Sequence, residues 1–170
     1  MENLLKNKKI KLNLKKITNL KSYLFKDKLN FKFPRAGGFD PHIDGHFLWK
    51  NNNNKLKKGW SVYGKNFTNV VIPLEKSNVK NGCIYLAKKE YTQKYLGSDW
   101  SEISEKLIKY TPKIKSIYLK NIKFKPMIMD QGDVMFFDWK IIHHSKKNLS
   151  NKSRMIFYAT YINSNKSKTK

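Results

Sequence analysis

The sequence predicts a mainly β domain of many short strands and little helix, a sandwich or an open barrel of the jelly-roll kind. Three observations predict it. Short apolar or alternating runs recur along the chain, bounded by Gly, Asn, Ser and Pro turn signals. The composition, 39% hydrophobic and 14% aromatic, is that of a packed chain and excludes general disorder. The 170 residues fit one domain with a sizeable core and would crowd two.

Residues 1–22 mix Lys, Leu and Asn. Leu4, Leu5, Ile10, Leu12, Leu14, Ile17 and Leu20 fall at loosely helical spacing, which suits a short amphipathic helix or an arm. From 23 to 34 the pattern changes to alternation, with Leu29, Phe31 and Phe33 on one face and Lys28, Asn30 and Lys32 on the other. That is the pattern of a half-buried strand. Its lysine face, Lys26 included, reads equally as solvated or as the lining of a pocket. Residues 35–38 (RAGG) are a turn into a short segment ending at Trp49, and residues 50–58 are polar, low in complexity and expected as a loop. Residues 68–74 (TNVVIPL) read as a buried strand with Pro73 interrupting its ladder near the end. Residues 77–82 form a turn in which Asn81 and Gly82 are a hairpin signal, and 83–87 is the next strand. Residues 98–110 open on Ser98 or Ser101 as N-cap and carry Ile103, Leu107 and Ile108 at helical spacing, predicting a short helix. Further strands are expected at 117–122, 133–139 and 155–162. The organisation expected is a lysine-rich arm or short helix (1–22), one β domain (23–162) and a polar tail (163–170).

Several classes are excluded or disfavoured. No apolar run approaches the roughly 18–20 residues of a membrane-spanning helix, and the first twenty residues lack the apolar core of a secretory signal. Cys83 is the only cysteine, so no intramolecular disulfide or cysteine-based zinc site can form, and a reducing, cytoplasmic setting is expected. The 36 Lys+Arg against 12 Asp+Glu give a net charge of +24. Only Arg35 and Arg154 are arginines, and the lysines are spread end to end with abundant Asn. Lysine is a point charge without the planar fork that reads bases, so the charge is expected to be a solvated compositional bias and nucleic acid not a partner. The alternative class is a basic β domain that binds polyanions.

The four histidines lie in two short segments. In Pro41-His42-Ile43-Asp44-Gly45-His46, an extended backbone projects His42 and Asp44 to the same side. About a hundred residues later, His143 and His144 follow an apolar strand. One imidazole from there would complete two histidines and one carboxylate, a facial set that leaves three positions open and suits a non-haem Fe(II) oxygenase. Arg154 opens the last strand, where its fork could capture a carboxylate such as the distal one of 2-oxoglutarate. His46 reads as facing the site or as an ordinary loop histidine. Trp49, Trp60 and Trp139 read as core or rim aromatics, and Asn148 and Ser150 as shaping the turn into the last strand.

The stretches KDKLNFKFPRAGGFDPHIDG, FTNVVIPLEKSNVKNGCIYLA and GDVMFFDWKIIHHSKKNLSNKSRMIFYATY resemble, in order, the phytanoyl-CoA dioxygenase family of Fe(II)/2-oxoglutarate oxygenases, across residues 22–162. The shared set is H-x-D, a strand ending in N-G-C, G-D-x-x-F-F, then H-x-S-x-x-N-x-S and an arginine. The resemblance implies a double-stranded β-helix, a cupin-like variant of the jelly roll. It implies His42, Asp44 and His143 as metal ligands, with His143 rather than His144 proximal, Arg154 as anchor of the 2-oxoglutarate carboxylate and Ser145 as a hydroxyl assisting it. Fe(II) is the implied metal and 2-oxoglutarate the cosubstrate, consumed with dioxygen to succinate and carbon dioxide while a small-molecule substrate is hydroxylated. Halogenating relatives have a small residue where Asp44 stands, so the carboxylate implies hydroxylation. A basic pocket would suit an anionic substrate. Relatives carry a substantial helical region before the first shared strand, and residues 1–22 stand in its place. The expectation is therefore a shortened amino end, with either a partner chain over the bared sheet or a non-catalytic remnant of the oxygenase fold.

Overall fold

The computed structural model describes residues 7–91 and 113–165. The helix expected at 98–110 lies outside them. Two apolar strands form the spine: β5 (Phe67–Pro73) and β10 (Arg154–Ser164), paired antiparallel. With a side-chain period of two, they send Val70, Ile72, Phe157, Ala159 and Tyr161 to one face, and Val71, Ile156 and Tyr158 to the other. Long β1 (Lys21–Lys32) pairs with the outer edge of β10, and β8 (Met135–Asp138) with that of β5, giving a four-stranded antiparallel sheet in the order β1-β10-β5-β8.

A second antiparallel sheet has the order β2-β9-β6-β7, from Phe39–His42, His143–Ser145, Ile84–Ala87 and Phe124–Pro126. The chain changes sheets between β1 and β2, between β5 and β6, and at each step from β7 to β10. That alternation makes the double-stranded β-helix expected from the sequence. Val71, Ile84, Phe137, Ile141, Ile156 and Tyr158 pack between the sheets and close the core beneath the site.

Helix α1 (Lys8–Thr18) covers the outer face of the first sheet. Asn7 caps it by accepting the Lys9 N–H at 2.9 Å, and Asn19 ends it in the left-handed region at φ 54°. Ile10 and fully buried Leu14, one turn apart, pack with Val70, Ile72 and Phe157. Among the described residues, no helix is long and apolar enough to cross a membrane.

Four expectations are corrected. In β1 the apolar face is not simply buried nor the lysine face simply solvated: Leu29 is half-buried and Lys28 exposed, but the pattern inverts at the strand's end. Phe31 and Phe33 are 48% and 64% exposed and stacked on each other, whereas Lys32 is 3% exposed. A bulge between Leu24 and Lys26 sets this register. Residues 50–58 are not simply loop: β3 (Leu48–Lys50) and β4 (Leu56–Lys58) pair as a hairpin, and Asn51 Oδ1 accepts the Asn53 and Lys55 N–H groups across its tip. The turn at 77–82 exists, with Asn78 and Asn81 side chains bonding each other's backbone N–H, but it links strands of different sheets rather than a hairpin. Residues 117–122 are not a strand; α2 (Ser116–Leu119) is a single helical turn there. Ile114, Tyr118, Leu119 and Ile122 all pack into one cluster with Ala87 and Ile142, a helix-like spacing that overrides the β preference of isoleucine.

Candidate metal centre and its cavity

Strand pairing builds the centre. His42 ends β2 and stands directly across from His143, the first residue of β9, so the two imidazoles meet with ring centroids 4.3 Å apart. Asp44 follows in the turn after β2. The turn depends on Gly45, at φ 71°, because a Cβ there would lie 2.7 Å from Trp60 and 2.8 Å from Trp139. The ligand-capable atoms of His42, Asp44 and His143 lie within 4.8 Å of one another. Sequence positions a hundred residues apart are thus brought to one point.

Hydrogen bonds fix how each group faces that point. His42 Nδ1 lies 2.7 Å from the Asp40 carbonyl and His143 Nδ1 2.9 Å from the Ile141 carbonyl. A carbonyl only accepts, so both Nδ1 atoms donate, and both Nε2 atoms carry the lone pair. These Nε2 atoms stand 3.9 Å and 3.7 Å from the Asp44 carboxylate. Asp44 Oδ2 accepts from Asn69 Nδ2 and from the Tyr158 hydroxyl, each at 2.8 Å. Thr160 donates to Asn69 Oδ1 at 2.8 Å and fixes which end of that amide faces Asp44.

Electrostatics match the geometry. Burial pushes His42 down to about 4, and the neighbouring His143 adds to the effect, so its ring is neutral near pH 7. Burial alone would raise Asp44, but His143, His42 and Lys26, with the Tyr158 hydrogen bond, hold its carboxyl below the ordinary value. Burial and the Asp44 charge push the Tyr158 hydroxyl well above its usual range, so it remains a donor. Two imidazoles and one carboxylate form a donor set that fits a divalent transition metal.

The triad opens into a cavity of about 530 Å³ between the sheets, a size suited to small molecules. Arg154 and Ser145 line the same cavity. Arg154 is 2% exposed; Nη1 donates to the Gly82 carbonyl at 2.7 Å, while its buried Nε has no hydrogen-bond partner among the described residues. Ser145 Oγ accepts from Lys32 Nζ at 2.8 Å and from the Phe39 N–H at 3.3 Å, which leaves its own proton to donate. Unsatisfied arginine donors beside a serine hydroxyl fit a carboxylate.

Of the remaining histidines, His144 stacks on Tyr85 at 4.9 Å and meets the edge of Phe124, and His46 packs edge-on against Trp139 at 5.9 Å. Trp60 and Trp139 are core aromatics, and Trp49 stacks on Tyr63. Asn148 shapes the turn into β10 as expected, donating to the Lys32 and Lys152 carbonyls and accepting the Ser150 N–H. Sequence reasoning missed Asn69 and Tyr158. The available signal was a polar residue inside each of two apolar strands, where a buried amide or phenol must find a partner.

The sequence profile described as phytanoyl-CoA dioxygenase matches residues 1–156. The chain is similar to the dioxygenase lolE1 of Epichloe uncinata, 26% identical over 148 residues, covering 87% of this chain and 49% of that protein. It is also similar to the 2-aminoethylphosphonate dioxygenase of an uncultured bacterium, 25% identical, covering 81% and 45%. The chain therefore spans about half the length of these relatives. Among solved structures, the epimerase SnoN from nogalamycin biosynthesis, in complex with Fe3+, α-ketoglutarate and nogalamycin RO, superposes with a TM-score of 0.70 at 13% identity, covering 96% of this chain and 58% of SnoN. AviO1 from Streptomyces viridochromogenes gives 0.65 at 16% identity, covering 95% and 60%. At such identities the structural likeness shows the fold.

Proposed function

The chain belongs to the phytanoyl-CoA dioxygenase family, and from that premise we propose that it is an Fe(II)- and 2-oxoglutarate-dependent dioxygenase that hydroxylates a small molecule. The reaction takes 2-oxoglutarate, dioxygen and R–H to succinate, carbon dioxide and R–OH. The observation that carries the reading is the convergence of two Nε2 lone pairs and one carboxylate on a single point at the floor of a cavity, with both Nδ1 atoms tied to carbonyls.

His42, Asp44 and His143 would hold ferrous ion, which when bound supplies the open coordination positions and the redox chemistry that activates dioxygen. Asn69 and Tyr158 both bond Oδ2 of Asp44, which leaves Oδ1 as the ligand oxygen. Their donated protons stabilise the ionised carboxylate and fix its plane. Arg154, with its unused Nε and spare guanidinium protons, would grip the far carboxylate of 2-oxoglutarate, and Ser145 would donate a further hydrogen bond. The packed layer of Val71, Ile84, Phe137 and Ile156 beneath them excludes water from one side.

The test is oxygen consumption coupled to succinate release from purified protein supplied with Fe(II) and 2-oxoglutarate. Succinate is expected in native protein at several times the rate in a His143→Ala variant. Equal rates in the two would contradict the proposal.

A further inference from the structure

Asp44 has the least regular backbone of the three residues that meet at the centre. His42 and His143 stand opposite each other in paired strands. Asp44 lies beyond the last rung of β2, in a turn whose own bond, from the His46 N–H to the Ile43 carbonyl, is long at 3.4 Å. Asn69 and Tyr158 bond its carboxylate, not the main chain that carries it.

That main chain is gripped from the next stretch of sequence. The β3–β4 hairpin leads into a short 3-10 turn (Gly59–Val62), and the start of this turn folds back on the residues after Asp44. The Gly59 N–H donates to the Phe47 carbonyl at 2.7 Å, and the Trp60 N–H to the Gly45 carbonyl at 3.2 Å. Trp49 Nε1 donates to the Gly59 carbonyl at 3.2 Å, which ties the gripping segment to β3. Neither backbone has room for a side chain. Gly59 sits at φ 40°, and a Cβ there would overlap the Gly45 carbonyl; a Cβ on Gly45 would lie 2.7 Å from Trp60. Trp60 is 4% exposed and stacks on Trp139 with ring centroids 5.8 Å apart, so Gly45 rests on a tryptophan pair.

Two backbone hydrogen bonds would be enough to close a hairpin. Two glycines at positive φ, back to back over stacked indoles, exceed that need, and they meet at the residue that follows Asp44. Peptide units are planar, so fixing Gly45 and the peptide after it leaves few directions for the Cα–Cβ bond of Asp44. We propose that Gly59 and Trp60 form a clasp for the metal centre, as positioning residues that set where the Asp44 carboxylate stands. The proposal deepens the oxygenase reading and rests on it for the metal.

Co(II) added anaerobically to the metal-free protein is the probe. Its visible absorption reports the arrangement of its ligands, and competition with a chelator gives its affinity. Gly59→Ala and Trp60→Leu are expected to bind Co(II) about tenfold or more weakly, with an altered spectrum at saturation. Trp60→Phe should recover most of the loss, and Trp49→Phe should weaken binding by a smaller factor. Two controls should keep native affinity and spectrum. Leu14→Ala destabilises the chain from the far side of the first sheet, and Gly37→Ala adds a Cβ that meets nothing within 4 Å among the described residues. Native affinity and spectrum in both Gly59→Ala and Trp60→Leu, or an equal loss in Leu14→Ala, overturns the proposal. Should Gly59→Ala fail to fold, Trp60→Leu and Trp49→Phe decide by the same criteria. Failure of the native protein to bind Co(II) counts against the metal reading itself. Amide hydrogen exchange of the metal-free protein then decides the clasp: faster exchange at Gly45 and His46 in Trp49→Phe than in Gly37→Ala supports it, and equal exchange overturns it.

Discussion

Tyr158 donates its hydroxyl proton to Asp44 Oδ2 at 2.8 Å, joining the middle of β10 to the turn after β2 across 114 positions of sequence. Asn69 donates to the same oxygen from β5. The carboxylate is thereby held by two strands of the first sheet while its histidine partners come from the second.

Removing that bond should weaken metal binding without unfolding the chain. Tyr158→Phe keeps the ring in the core and deletes only the donor. Its Fe(II) affinity, measured anaerobically by competition with a chelator, is expected to fall about tenfold or more, as is usual when a partner of a metal ligand is lost. The double change with Asn69→Ala should fall further. Unchanged affinity would mean that the two donors have no part in ordering Asp44.

Cosubstrate binding should depend on pH through Lys32. Burial first, and then the charge of Arg154, bring Lys32 down to about 8, and its ammonium group donates to Ser145. The protonated form favours a bound dianion, so 2-oxoglutarate affinity is expected to fall as pH rises through 8. Lys32→Met should bind about tenfold more weakly at pH 7 and show no such fall. Arg154→Met should lose about a hundredfold at every pH in this range. Calorimetric titration between pH 7 and 9 reads all three.

The metal-free protein should lose stability in mild acid. His42 and His46 are each lowered to about 4, mainly by burial, with His143 adding to the shift of His42 and Lys140 to that of His46. In the unfolded chain both would take up protons near 6.5. The unfolded state therefore binds more protons between pH 6.5 and 4, so this contribution is complete above 6.5 and is lost as pH falls toward 4. Melting temperature measured from pH 7.5 to 4.5 should decline over that window, and His46→Gln should remove part of the decline. A flat profile would contradict the burial of neutral rings.

The contact between α1 and the first sheet should be a major support of the fold. Leu14 is fully buried against the spine strands, and Leu14→Ala is expected to cost about 2–5 kcal/mol in chemical denaturation. Leu12→Ala, at a position 58% exposed, should change stability by less than about 1 kcal/mol.

Much of the centre could be read in the sequence because its geometry is local. The H-x-D spacing puts His42 and Asp44 close together in sequence, although only His42 lies in extended backbone and Asp44 stands in the turn after β2. Likewise, the apolar runs of β5 and β10 announced a β architecture. What could not be read depends on packing. Alternation in β1 established which residues share a face, but not that Asn30 and Lys32 turn inward, because the register shift between Leu24 and Lys26 is not visible in the pattern. The turn at Ile117 looked like a strand by residue type, and its helical spacing is visible only in the way Ile114, Tyr118, Leu119 and Ile122 meet in one cluster. Asn69 reads as an interruption in an apolar strand until Asp44, from a distant turn, supplies its partner.

In the proposed oxygenase, His42, Asp44 and His143 bind one ferrous ion together with 2-oxoglutarate. Anaerobic titration of the protein with Fe(II) in the presence of 2-oxoglutarate tests it most directly. A weak visible charge-transfer band is expected that saturates at one equivalent of iron and is absent from His42→Ala. No band in the native protein, or an undiminished one in the variant, would contradict it.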